Sequence, residues 1–150
     1  MAIANYLQGS YFSIGNPLRL LDRWLHSYRH HRGVVLGNKN LRVEWTGRAD
    51  HALRSRSEPL IIEMQLYFSC VLKKRVLFYE SSELKTTDVG KSMKVAFRAI
   101  QSKACGPEEF AQNHPLGRVL DSPASARMVP AKLSIDFRQG QWLGEFGYQN

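Results

Sequence analysis

The chain has 150 residues and a formal net charge of +8, and it is 43% hydrophobic and 23% charged. These values are typical of a globular protein and exclude a disordered chain, and the length predicts a single domain over residues 1–150. The two cysteines, Cys70 and Cys105, are too few for a disulfide framework. Since neither a signal peptide nor an apolar stretch of about twenty residues is present, we expect a cytoplasmic protein without membrane contact.

Residues 1–15 show no hydrophobic periodicity, but they include the aromatic side chains of Tyr6, Tyr11 and Phe12. Chain termini are usually loose unless they are tied down. The three aromatic residues therefore indicate a possible docking arm, which would pack on the body of the protein or on a second subunit.

The next segment, residues 17–32, has the pattern of an amphipathic helix. Asn16 is a good N-cap, and Pro17 is tolerated at the first helical position. One apolar stripe follows at helical spacing: Leu18, Leu21, Leu25 and Tyr28. Gly33 after a basic cluster ends the predicted helix.

Two short strands are predicted at 34–36 and 41–45, around a turn at Asn38-Lys39-Asn40. The segment 46–58 is polar and rich in arginine. It is compatible with a loop or with a short helix from Asp50 to Arg56.

The longest apolar run, residues 59–80, predicts the centre of a sheet. Ile62, Met64 and Leu66 alternate with Glu63 and Gln65, and period two is typical of a strand with one buried face. A second run from residue 76 to residue 80 predicts an antiparallel partner. A three-four spacing from Leu60 to Val71 leaves a helix as the alternative.

Three further elements are predicted in the second half of the chain. Residues 93–100 alternate as a half-buried strand, and residues 113–130 have the proline content of an ordered loop. Residues 133–148 predict a hairpin with its turn at Arg138-Gln139-Gly140-Gln141, and Gly144 and Gly147 indicate a bulge or a close backbone approach.

These elements together predict an α+β fold. We expect one antiparallel sheet of about six strands, strongly curled or partly closed into a barrel, packed against the single N-terminal amphipathic helix. The sheet is centred on residues 59–80.

The net charge predicts an acidic protein or a nucleic acid as partner, because a basic surface attracts anions. The candidate basic surface lies on the polar side of the predicted helix: Arg19, Arg23, Arg29 and Arg32. His26 and His30 are spaced i, i+4, but the neighbouring arginines repel cations, so we expect neither a metal nor a cofactor. The strand edges and the N-terminal arm are compatible with self-association into a homo-oligomer.

A polar face on the sheet provides the alternative, a small-molecule-binding protein or an enzyme. If the strands pair as predicted, that face also carries Arg75, Tyr79 and Glu145, and its candidate pocket residues are Glu63, Tyr67, Arg98 and Asp136. The same residues are compatible with cross-strand ion pairs on a solvated sheet. Cys105 and His114 could provide the thiol and the base of a nucleophilic site, but no third residue that orients them is recognisable. The first hypothesis is therefore a non-enzymatic binding protein, and whether the chain is an enzyme stays open.

Overall fold

The computed structural model describes residue 21 and residues 25–68, 72–102, 117–119 and 123–149. Within these ranges the protein is a β-sandwich of a four-stranded and a five-stranded sheet. The four-stranded sheet consists of β1 (His30–Leu36), β2 (Lys39–Trp45), β8 (Lys132–Arg138) and β9 (Gln141–Gly147). The five-stranded sheet consists of β3 (Leu60–Phe68), β4 (Leu72–Tyr79), β5 (Thr87–Val89), β6 (Met93–Ser102) and β7 (Gly117–Val119). Two short helices accompany them, α1 (Gly47–Arg54) and α2 (Pro123–Ala126).

Both sheets are mixed, and each is built around a parallel central pair. In the four-stranded sheet, β2 and β8 are parallel, while β1 pairs with β2 and β9 with β8 in the antiparallel sense. In the five-stranded sheet, β3 and β6 are parallel, and β4 lies antiparallel on the other side of β3. The strands β5 and β7 pair with opposite ends of the free edge of β6.

The hydrophobic core lies between the two sheets and follows the alternation of the strands. On β3, Leu60, Ile62, Met64 and Leu66 point into it, with exposed fractions of at most 3%. Each such side chain contributes roughly 1.5–3 kcal/mol when it is fully buried. The facing layer comes from the four-stranded sheet: Leu41, Val43, Leu133, Ile135, Trp142 and Phe146.

The two sheets approach each other closely at Gly144 of β9. A Cβ atom at this position would lie 2.8 Å from Val76 Cγ1 and 3.0 Å from Phe78 Cζ, both on β4. The sequence prediction of a close backbone approach is therefore confirmed at Gly144.

Helix α1 closes one end of the sandwich. Its N-cap is Thr46, whose hydroxyl oxygen accepts a hydrogen bond from the Ala49 N–H at 3.2 Å. Ala49 and Leu53, one turn apart, are buried and join the core. Of the two alternatives for the polar segment 46–58, a short helix is thus confirmed, although it begins before Asp50.

The predicted strands and turns are confirmed where hydrophobic alternation was strict. The antiparallel pair within residues 59–80 and the final hairpin are present, so the helical alternative for the former is wrong. The final hairpin turns at Gln139 and Gly140, whose φ values of 51° and 75° fit a two-residue type I′ turn. The first hairpin turns one residue earlier than predicted, at Gly37 with a φ of 66°.

The predicted α+β fold is wrong, because the described chain is mostly β, with two sheets and two short helices. The sequence predicted about six antiparallel strands in one sheet, whereas the described chain has two sheets with parallel pairs at their centres. The physical reason is that alternation identifies a strand and its buried face but carries no information about its neighbour or its direction.

The predicted N-terminal amphipathic helix at 17–32 is also wrong. Residues 26–29 are not helical, and His30 begins β1, whose backbone pairs with β2 along its whole length. In the described part of the predicted stripe, Leu21 and Leu25 are 54% and 59% exposed, so they do not pack on a sheet. Residues 21 and 25 are helical, but strand pairing has overridden the local helical pattern over residues 30–32. The other residues of the segment, and the proposed arm at 1–15, lie outside the described residues.

Candidate functional site

A row of polar side chains lies on the outer face of the five-stranded sheet, the face directed away from the four-stranded sheet. Register places Gln65 of β3 directly between Arg75 of β4 and Arg98 of β6. Glu63 and Tyr67 lie two residues before and after Gln65, on the same face. We call these five residues the polar row. Three of the four predicted pocket residues, Glu63, Tyr67 and Arg98, therefore belong to one site.

An ion pair forms one end of the polar row. Arg98 Nη2 donates to both carboxylate oxygens of Glu63, at 2.7 and 3.0 Å, and the Gln65 side-chain amide donates to Glu63 Oε1. Glu63 is completely buried, whereas 34% of the Arg98 side chain is exposed. The expectation of cross-strand ion pairs on a solvated sheet is thus only half right. The pair exists, but its carboxylate lies away from water.

Arg75 forms the other end of the polar row and is only 5% exposed. Its guanidinium carbon lies 5.4 Å from the centre of the Tyr67 ring, a cation–π contact. Its Nε and Nη1 have no hydrogen-bond partner in the described structure, nor have Gln65 Oε1 and Arg98 Nε. A buried polar group without a partner costs about 1–3 kcal/mol, and more when it is charged. The polar row therefore carries unmet hydrogen-bonding capacity.

The charges of the polar row do not cancel. Two guanidinium groups face one carboxylate, which leaves a formal charge of +1. The two neighbouring lysines on this face do not neutralise this charge. Lys73, opposite Tyr67, is exposed, and Lys94 is paired with Asp88 at 3.6 Å. Burial of a net positive charge is unfavourable, so the row is electrostatically suited to one additional negative charge.

A pocket of about 610 Å³ lies at the end of the sandwich, between α1 and the β8–β9 hairpin. We call it the end pocket. The register pair Phe137 and Trp142 forms its aromatic wall, with ring centres 4.7 Å apart. Arg48 and Arg56 contribute cationic groups to its lining. This pocket was not predicted from the sequence.

Asp136, the fourth predicted pocket residue, lies in the other sheet, away from the polar row. Its Oδ1 accepts from Thr46 Oγ1 at 2.6 Å, Arg48 Nε at 2.7 Å and the Phe137 N–H at 2.8 Å, and Oδ2 accepts from Arg48 Nη2 at 2.5 Å. Burial raises the pKa of Asp136, but the hydrogen bonds from Arg48, Thr46 and Phe137 outweigh it and hold the pKa below its usual value. Asp136 therefore anchors α1 as an ionised carboxylate.

The candidate basic surface is not one helical face in the described chain. Arg29 and Arg32 are exposed, and Arg32 lies in the edge strand β1. Arg19 and Arg23 lie outside the described residues. The i, i+4 relation of His26 and His30 is lost because His30 is in a strand, where its ring stacks on Trp45 at 5.8 Å. Cys105 and His114 also lie outside the described residues.

Sequence reasoning missed the adjacency of two residues of the polar row and the role of two arginines at the end pocket. Arg75 and Gln65 were recognised as polar positions of the sheet, but only the register shows that they are adjacent. Arg48 and Arg56 lie in the arginine-rich segment that had no clear periodicity. Their pairing with Asp136 and Glu80 joins residues 88 and 24 positions apart, which no local pattern reveals.

Comparisons with protein-family models, with curated proteins and with solved structures found no match to this chain. Among the described residues, neither helix has the length and apolar character needed to cross a membrane. The same part of the chain contains no group of three His, Cys, Asp or Glu side chains arranged to hold a metal ion.

Proposed function

We propose that this chain is a binding protein for a small organic anion, and that the polar row is its binding site. The observation that supports this proposal is the buried Arg75, whose Nε and Nη1 have no acceptor. Folding a guanidinium group into this state is costly, whereas a bound anion supplies acceptor oxygens for donors that have none in the described structure.

The remaining unpartnered groups define the ligand further. Arg98 Nε is a second donor directed to no acceptor, while Gln65 Oε1 is an acceptor that receives no hydrogen bond. A matching ligand carries one carboxylate for the arginines and one hydroxyl or N–H donor for Gln65. A single negative charge also neutralises the formal +1 of the row. The ligand class is thus a small hydroxy acid or a related monocarboxylate.

Binding, rather than catalysis, fits the chemistry of these residues. Arginine is protonated at all physiological pH values, and a glutamine side chain neither gives nor takes a proton. Glu63, the carboxylate of the row, is already held by Arg98 and Gln65. The partial exposure of Arg98 gives the ligand a route to the row. A cytoplasmic location remains part of this proposal.

Calorimetric titration with lactate and larger hydroxy acids tests the proposal, with the corresponding amides as neutral controls. The Arg75→Met variant should bind at least tenfold more weakly, because the anion loses its principal donor. The matched control is Lys73→Met, which removes an equal charge from an exposed position of the same strand and face. If no hydroxy acid binds, or if Arg75→Met binds as well as the wild type, the proposal is wrong.

The unliganded Arg75→Met variant provides a second, independent measurement. It removes unpartnered buried donors, so it should gain about 1 kcal/mol in free energy of unfolding while losing affinity. A gain in stability together with a loss of binding is the signature of a functional residue. A loss of stability in this variant would show that Arg75 has a structural role instead.

A second candidate function is supported by the edge strand β1. Arg32 is exposed in this strand and Arg29 is exposed directly before it, and the chain as a whole is strongly basic. We propose on this basis that the β1 edge contacts an acidic protein or a nucleic acid, with self-association through the same edge as the alternative. Binding of generic RNA or acidic peptide should weaken steeply with salt and weaken further in Arg29→Ala/Arg32→Ala. Salt-independent binding, or none at low salt, would exclude this function.

A further inference from the structure

The end pocket is built from one face of α1 and the inner side of the β8–β9 hairpin. Arg48, His51, Ala52 and Ser55 line it at positions i, i+3, i+4 and i+7, the spacing of residues that share one side of a helix. The opposite side of α1 buries Ala49 and Leu53 in the core. The helix is therefore fixed by its core side, and the pocket-lining side is held in place with it.

Two anchors keep the lining rigid. Arg48 is held by Asp136 through two hydrogen bonds, of 2.7 and 2.5 Å. The Phe137 and Trp142 rings pack against each other, and Trp142 stacks further on Phe78 in the core with ring centres 6.2 Å apart. The pocket volume of about 610 Å³ lies within the usual size range of small-molecule sites.

Arg56 supplies the polar group that lacks a partner at this pocket. Its Nε is buried without an acceptor, and its Nη1 lies 3.5 Å from Glu80, a long contact to a carboxylate whose side chain is 50% exposed. The ionisable side chains that line the pocket are arginines and a histidine, with no acid among them. The lining thus combines an aromatic wall with cationic groups.

We propose that the end pocket binds an aromatic carboxylate. The flat ring of the ligand packs on Phe137 and Trp142, and its carboxylate accepts hydrogen bonds from Arg56, whose Nε has no other acceptor. This site is separate from the polar row. The ligand differs as well, because the end pocket offers an apolar wall where the polar row offers an amide oxygen.

Titration with 2-naphthoate, monitored by tryptophan fluorescence and by calorimetry, tests this inference, with 2-naphthamide as the uncharged analogue. Wild-type protein should bind naphthoate at least tenfold more tightly than naphthamide. Arg56→Met should remove that preference. The control Arg54→Met changes the last residue of α1, an arginine that is 77% exposed and lies two positions before Arg56, and it should bind like the wild type.

Two further variants keep the test decisive. Ala52→Leu adds bulk to the pocket without changing charge, so it should block naphthoate even if Arg56→Met folds poorly. Arg75→Met, in the polar row, should leave naphthoate binding unchanged, which separates this inference from the proposed function. Absence of naphthoate binding, equal affinity for naphthamide, or binding that survives Ala52→Leu would overturn the inference.

Discussion

Two of the arginine–carboxylate pairs in the described chain, Arg48–Asp136 and Arg98–Glu63, differ in how completely their hydrogen bonds are satisfied. Asp136 in the four-stranded sheet accepts four hydrogen bonds, two of them from Arg48, and joins helix α1 to β8. Glu63 in the five-stranded sheet is fully buried and pairs with Arg98, yet Arg75 and Gln65 beside it keep polar atoms without partners.

Under the function proposed above, this difference separates a structural ion pair from one that belongs to a binding site. A well-connected network such as the one around Asp136 fixes local geometry. An unsaturated network lowers the stability of the free protein, and the proposed ligand would complete it. The comparison can be tested by removing each carboxylate in turn.

The largest effect is expected for Glu63→Ala. The substitution removes the only carboxylate of the polar row and leaves Arg75 and Arg98 without a counter-charge. The free energy of unfolding should therefore fall by about 3–5 kcal/mol. Urea denaturation measures this loss. Glu58→Ala, at an exposed position just before β3, is the control and should change stability by less than about 0.5 kcal/mol. Equal behaviour of the two variants would contradict the burial argument.

A smaller loss is expected for Asp136→Ala. The variant takes the acceptor away from Arg48, Thr46 and the Phe137 N–H, but 22% of the Arg48 side chain is exposed, so water replaces part of the lost bonding. We expect a loss of about 2–3 kcal/mol by urea denaturation. Asp88→Ala breaks an ion pair whose carboxylate is 71% exposed, and it should cost less than about 1 kcal/mol. A larger loss for Asp88→Ala than for Asp136→Ala would refute the comparison.

The contact between the two sheets provides a third test. Gly144→Ala places a methyl group against Val76 and Phe78, so β4 and β9 must move apart. The expected loss is about 1–2 kcal/mol in free energy of unfolding. Gly147→Ala adds the same methyl group to the same strand where nothing lies within 4 Å, and thermal unfolding should show little change.

The smallest expected effect is a dependence on pH that Asp136 contributes. Since its pKa is below the usual value of 3.8, its stabilisation is fully present above that pH and disappears as the pH falls through the lower, folded-state value. The stability difference between wild type and Asp136→Ala should therefore be constant above about pH 5 and shrink towards about pH 3. A difference that grows on acidification would have the wrong sign for an ionised, hydrogen-bonded carboxylate.

The sequence alone determined the strands with strict alternation and the turn that joins β8 to β9. Those features are local, because period two fixes the buried side of a strand, and a two-residue turn needs a glycine such as Gly140 at positive φ. The polar alternation on β3 likewise placed Glu63, Gln65 and Tyr67 on one face, because these residues are two positions apart along the strand.

Tertiary structure decided the rest. Only strand pairing shows that residues 30–32 extend β1 instead of ending a helix, that β3 and β6 run parallel, and that Asp136 belongs to a different sheet from Glu63. The burial of Glu63 and Arg75 is likewise set by residues distant in the chain. Alternation distinguishes polar from apolar side chains, but it cannot tell which polar face water reaches or which hydrogen bonds stay unmade, and those two properties define the candidate site.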